Sequence, residues 1–162
     1  MTLEIWNIST GLNIANKIAA DLAYSVAYFN SLKIDINFIL SLPSHPDYKE
    51  KLDAFSMRFG KLQDMLGDQI FRALLAIEKE DVQGMTMRTK LNLMEKMGII
   101  GSAEQWEELR KIRNGLTHDY EENPEQAAAF LNIAVGRALE LNAILSAVER
   151  HIEAMGLRAK AV

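Results

Sequence analysis

From Ala127 to Met155, nine apolar residues (Ala127, Leu131, Ala134, Ala138, Leu141, Leu145, Val148, Ile152 and Met155) recur at alternating steps of four and three. That period belongs to one face of an α-helix; a strand would repeat every second residue. If unbroken, the helix runs to roughly 48 Å at the ordinary helical rise. A stripe of this length has to be buried against other elements, so the chain is constrained to a helical architecture. The stripe reads as core, with a few residues of this helix or of the first helix also free to line a dimer interface.

The rest of the chain repeats the pattern. Ile14, Ile18, Leu22, Val26 and Phe29 predict a helix over Asn13 to Phe29. Asp47 is placed to cap a second long helix with Leu52, Phe55, Phe59, Leu62, Leu66 and Ile70 on its apolar side, running on toward Ile77. Gly67 interrupts it and is expected to bend it, because a mid-helix glycine costs about 1 kcal/mol relative to alanine. Residues 78 to 86 read as a loop, followed by a short helix through Leu91, Met94 and Met97 that Gly98 ends. Ser102 and Gln105 fit a capping box for a helix burying Trp106, Leu109, Ile112 and Leu116. Asn123-Pro124 starts the last helix. No segment alternates as a strand does. The fold class is all-α, an antiparallel helical bundle in one domain over 1-162, divided into an N-terminal helical extension (1-45) and a motif-bearing bundle (about 46-158).

Composition narrows the chemistry. The chain has no cysteine, which excludes disulfides, thiolate metal sites and a cysteine nucleophile, and fits a reducing cytoplasm. Its start carries Glu4 and no basic run before an apolar stretch, unlike a secretory signal, and no uninterrupted apolar run approaches the length of a bilayer span. A net charge of −4 argues against a protein that coats nucleic acid non-specifically. Arg110, Lys111 and Arg113 nonetheless gather cations beside one motif; as a lone cluster they would be an ordinary solvated helix face.

That motif is Arg113-Asn114-Gly115-Leu116-Thr117-His118-Asp119-Tyr120. An arginine holds a phosphate through paired N–H donors, and a histidine moves protons near neutral pH. The two together suit chemistry on a phosphodiester. The spacing Arg-x4-His-x-Tyr resembles the signature of HEPN proteins (higher eukaryotes and prokaryotes nucleotide-binding), and most of all the HepT-type toxins paired with a small nucleotidyltransferase antitoxin. The resemblance extends through Arg58-Phe59-Gly60-Lys61-Leu62-Gln63-Asp64, Lys90-Leu91-Asn92, Gly98-Ile99-Ile100 and Trp106-Glu107-Glu108-Leu109-Arg110, covering roughly residues 50 to 155. Residues 1 to about 45 have no counterpart at the start of the shorter family members.

The resemblance implies a metal-independent endoribonuclease needing no cofactor, acting as a homodimer in the cytoplasm on an RNA substrate, with no membrane partner, and neutralised by a nucleotidyltransferase antitoxin. In it, His118 transfers protons and Arg113 stabilises the phosphorane-like transition state; the neighbouring cations Arg110 and Lys111, read from the cluster itself, are placed to bind RNA phosphate. Tyr120 is the position at which the partner attaches AMP, adding charge and bulk at the mouth of the site. Read as structure alone, His118 is a helix C-terminal histidine set against the macrodipole, and Tyr120 is a half-buried tyrosine with a wet hydroxyl.

Geometry leaves alternatives open. If the helix continued ideally, Arg113 and His118 would diverge by roughly 140°. Convergence on one phosphate then needs a long arginine reach, a distorted last turn near Gly115, or a second subunit; the resemblance implies the last, a composite site across a two-fold interface. Asn114 can orient the His118 ring, and Thr117 can bond back to its own helix. Asp64 can pair with Arg113 or His118, although a solvated pair with Lys61 is the more ordinary arrangement. His45 and His151 read as structural, and the three histidines form no metal site. The rival reading is a non-catalytic helical module that binds a nucleotide or presents a surface to a nucleotidyltransferase.

Overall fold

The computed structural model describes residues 3–78, 82–117 and 122–156. Helix α1 (Leu3–Asn30) runs through the centre of the bundle, packing against α3 (Pro46–Asp64), α4 (Phe71–Ile77) and α8 (Leu139–Ala154). Between them lie α2 (Ile36–Ser41), α5 (Met87–Lys96), α6 (Ala103–Gly115) and α7 (Pro124–Arg137). No strand occurs among the described residues, so the architecture is the all-α bundle that the periodicity requires. The N-terminal segment forms much of the core: Leu22 is fully buried, and Phe29 packs edge-on to Phe55 at 5.7 Å.

The caps account for several boundaries. Ser102 accepts the Gln105 backbone N–H at 3.0 Å, while Gln105 Oε1 reaches back to the N–H of Gly101 rather than that of Ser102. Asn123 accepts the Gln126 N–H at 3.1 Å, with Pro124 in the first turn. Gly98, at φ +75°, follows the end of α5 in the left-handed region where a side chain is disfavoured. Helix α3 begins at Pro46, so Asp47 sits inside the first turn and is not the cap. There it complements the helix dipole.

Two expectations about the long helices change. The stripe from Ala127 is buried as far as Ile152, with Met155 half-buried, but the hydrogen-bond pattern is interrupted at Ala138, between α7 and α8. By length and composition this run, Pro124–Ala154, is the one described helix able to cross a membrane, although polar residues such as Asn132, Arg137 and Glu140 interrupt it; 44% of its most apolar stretch is buried in the bundle. It is a core helix. In the other, Gly67 does not simply bend an α-helix. It lies in a π-helical turn, Met65–Ile70, that joins α3 to α4. A Cβ at Gly67 would lie 3.0 Å from Trp106 Cζ2, so the missing side chain makes room for the indole.

Where α6 meets α7–α8, Glu140 accepts hydrogen bonds from Arg137 Nε at 2.7 Å and Gln105 Nε2 at 3.0 Å. Arg137 also reaches Glu108, tying the helices together. The Arg137 hydrogen bond holds the Glu140 carboxyl below its usual 4.5, against the burial that pushes it upward. A carboxylate lowered in the folded state contributes stability that is present above its unfolded value and lost as pH falls through the folded one. Denaturant midpoints measured from pH 7 down to pH 3 therefore decline below about 4.5, and Glu140→Gln removes part of that decline while lowering the midpoint at pH 7.

Candidate active site

The site is built where α3 and α6 run past each other. Gly60 faces the Arg113 side chain: a Cβ there would lie 3.2 Å from Arg113 Nε. One helical turn further along α3, Asp64 meets the guanidinium as a fork. Arg113 Nη1 lies 2.6 Å from Oδ1, and Nη2 donates to Oδ2 at 2.8 Å. Of the two side chains, Arg113 is 35% and Asp64 46% exposed, so the pair orients more than it stabilises. Asp64 thus takes the partner 49 residues away in sequence, while Lys61 is exposed and joins no ion pair among the described residues. Arg58, on the same stretch, turns away to Ser25 Oγ at 2.7 Å and fastens α3 to α1.

Helix α6 ends at Gly115, with Leu116 as its C-cap. The chain then tightens: Leu116 N–H reaches Arg113 O, Thr117 N–H reaches Asn114 O, and Thr117 Oγ1 donates to Asn114 O at 2.8 Å. That last bond is the one expected of the threonine. A Cβ on Gly115 would come within 2.5 Å of Phe130 Cζ, so glycine here lets the α7 ring close over the helix end. Since the helix stops before His118, the ideal 140° divergence of Arg113 from His118 no longer applies. His118 and Tyr120, like Asp119 between them, lie outside the described residues.

Arg110, Lys111 and Asn114 are exposed on α6. Arg110 joins Arg113 in lining a small cleft whose other walls are Asp64, Asp68, Gly67 and Trp106. Its floor holds a residue to which the sequence reading gave no role. Gln63 is 3% exposed, and neither its Oε1 nor its Nε2 has a hydrogen-bond partner among the described residues. A buried amide left unpaired costs about 1–3 kcal/mol per group. The available signal was a glutamine four residues after Phe59, inside the apolar stripe.

The remaining histidines are accounted for by neighbours. His45 packs against the Tyr48 ring with centroids 5.0 Å apart, and His151 Nε2 lies 2.8 Å from Glu78 Oε1, joining the ends of α8 and α4. No group of three metal-binding side chains occurs among the described residues.

Set against protein-family models, curated proteins and solved structures, the chain matches none of them.

Proposed function

We propose that this chain is the toxin of a two-gene toxin–antitoxin pair, a cytoplasmic, homodimeric, metal-independent endoribonuclease of the HepT-like HEPN type. The observation that carries the reading is the Asp64 fork, which holds Arg113 at the end of α6, five residues before His118. Asp64 takes one N–H from each terminal nitrogen, and three of the five guanidinium donors remain for a phosphate. In the reaction, His118 removes the proton of a ribose 2′-OH, whose oxygen attacks the adjacent phosphorus. Arg113 stabilises the charge that builds on the phosphoryl oxygens, and the 5′ oxygen leaves with the proton handed on by the His118 imidazolium, leaving a 2′,3′-cyclic phosphate. Arg110 and Lys111 attract the neighbouring phosphates.

Regulation follows from Tyr120. A nucleotidyltransferase partner attaches AMP to its hydroxyl, which places a negative charge beside the cations that the RNA needs. Incubating the protein with that partner and ATP is expected to raise its intact mass by one AMP and abolish growth inhibition; Tyr120→Phe keeps its original mass and stays toxic. An AMP found on another residue would overturn the assignment.

A binding module without turnover is the second reading. It is favoured by the carboxylate already seated on Arg113 and by Asp68 in the same cleft, both of which repel phosphate. Tight binding of ATP or of the nucleotidyltransferase, with no RNA cleavage, distinguishes it.

A further inference from the structure

On the other side of the π-helical turn from Arg113, between α1 and α4, lies a half-open cleft of about 440 Å³. Its body is apolar, formed by Ile14, Ile70, Ala73, Ala76 and Val82. Such a volume is within the range of small-molecule sites, which combine apolar walls with a few polar groups that fix orientation. The polar groups here are distinctive. Asp68 and Arg72 are one turn apart along the same wall, at a spacing that normally favours an ion pair, yet they form none with each other or with any other described residue. A lone anion and a lone cation flank one apolar volume. The wall that carries Asp68 is the π turn, a rare geometry that occurs mostly at functional sites.

We propose that this cleft binds a small zwitterion with a bulky apolar group, an α-amino acid of the aromatic or branched aliphatic class. Asp68 takes its ammonium, Arg72 takes its carboxylate, and the side group displaces water from Ile14, Ile70 and Ala73. A fatty acid would satisfy Arg72 but set its own charge against Asp68. A nucleotide would bring several negative charges to a site with a single arginine. The inference goes beyond the ribonuclease reading: of its residues only Asp68 also borders the Arg113 cleft, and it is tested by binding alone.

The test is calorimetric titration of the full chain with L-phenylalanine, with phenylalaninamide (no carboxylate) and with 3-phenylpropionate (no ammonium). Phenylalanine is expected to bind saturably at one site and each analogue about fivefold more weakly, the effect of losing one solvent-exposed ion pair. Arg72→Gln erases the preference over the amide, and Asp68→Asn erases the preference over the propionate. Ala73→Phe fills the cleft and abolishes binding; should that variant not fold, the two exposed charge variants carry the test. Absence of saturable phenylalanine binding, or equal binding of all three compounds, overturns the proposal.

Discussion

Trp106→Ala is expected to lower folding stability by about 3–5 kcal/mol, the usual cost of removing a large buried aromatic. The indole is 2% exposed, lies against the Phe71 ring at 5.0 Å between centroids, and rests on Gly67 in the π turn. The residue beneath it is a glycine, which has no side chain to fill the space. Urea unfolding measures the effect directly: the midpoint should fall while the slope stays near the wild-type value. A loss below about 1 kcal/mol would mean that α6 is not held to α4 and the π turn by this contact. The result bears on function as well. Trp106 fixes the helix from which Arg110 and Arg113 project, so a partly folded variant should also lose whatever those cations do.

Arg113→Ala carries the largest expected effect on activity. Removing a donor aimed at developing phosphoryl charge costs roughly 10²–10³-fold in rate. The folded state should change little, because the pair with Asp64 is partly exposed and such pairs are worth about 1 kcal/mol or less. Arg113→Lys keeps the charge but loses the fork that engages carboxylate and phosphate together, so it should rescue only a fraction of the rate. Asp64→Asn keeps one acceptor for the guanidinium and is expected to fall between wild type and Arg113→Ala. Initial rates on one RNA substrate order the series. Equal rates for all four proteins would remove Arg113 from the chemistry.

Local patterns explain how much of the fold the sequence makes legible. Ser102, Gln105, Trp106, Leu109, Ile112 and Leu116 mark the start and buried face of α6 within fifteen residues, and both appear in the structure. The stripe from Ala127 works in the same way. Helix α2 escapes notice because only Phe38 and Ile39 of its six residues are buried, too few to set a period. Its cap, Asp35 accepting the Phe38 N–H at 2.9 Å, is visible only once the helix is known.

For the site, the balance is different. Arg113 and Asp64 are both recognisable as candidates, but their pairing depends on how α3 crosses α6, and the near neighbour Lys61 offers the more ordinary local partner. The packing role of the three site glycines is hidden for a similar reason. Sequence suggests a bend at Gly67 and, as one of three options, a distorted turn near Gly115, and assigns nothing to Gly60. The structure gives each a lateral neighbour instead: Trp106, Phe130 and Arg113 respectively. Room for a partner helix leaves no periodic trace in the chain.

The most direct test of the ribonuclease account is cleavage of total cellular RNA by the purified protein and by His118→Ala, both in excess chelator, with the new ends mapped. The account predicts cleavage by the wild type alone, leaving cyclic phosphate ends. Absence of cleavage by the wild type, in a preparation whose intact mass shows no nucleotide on the protein, would contradict it.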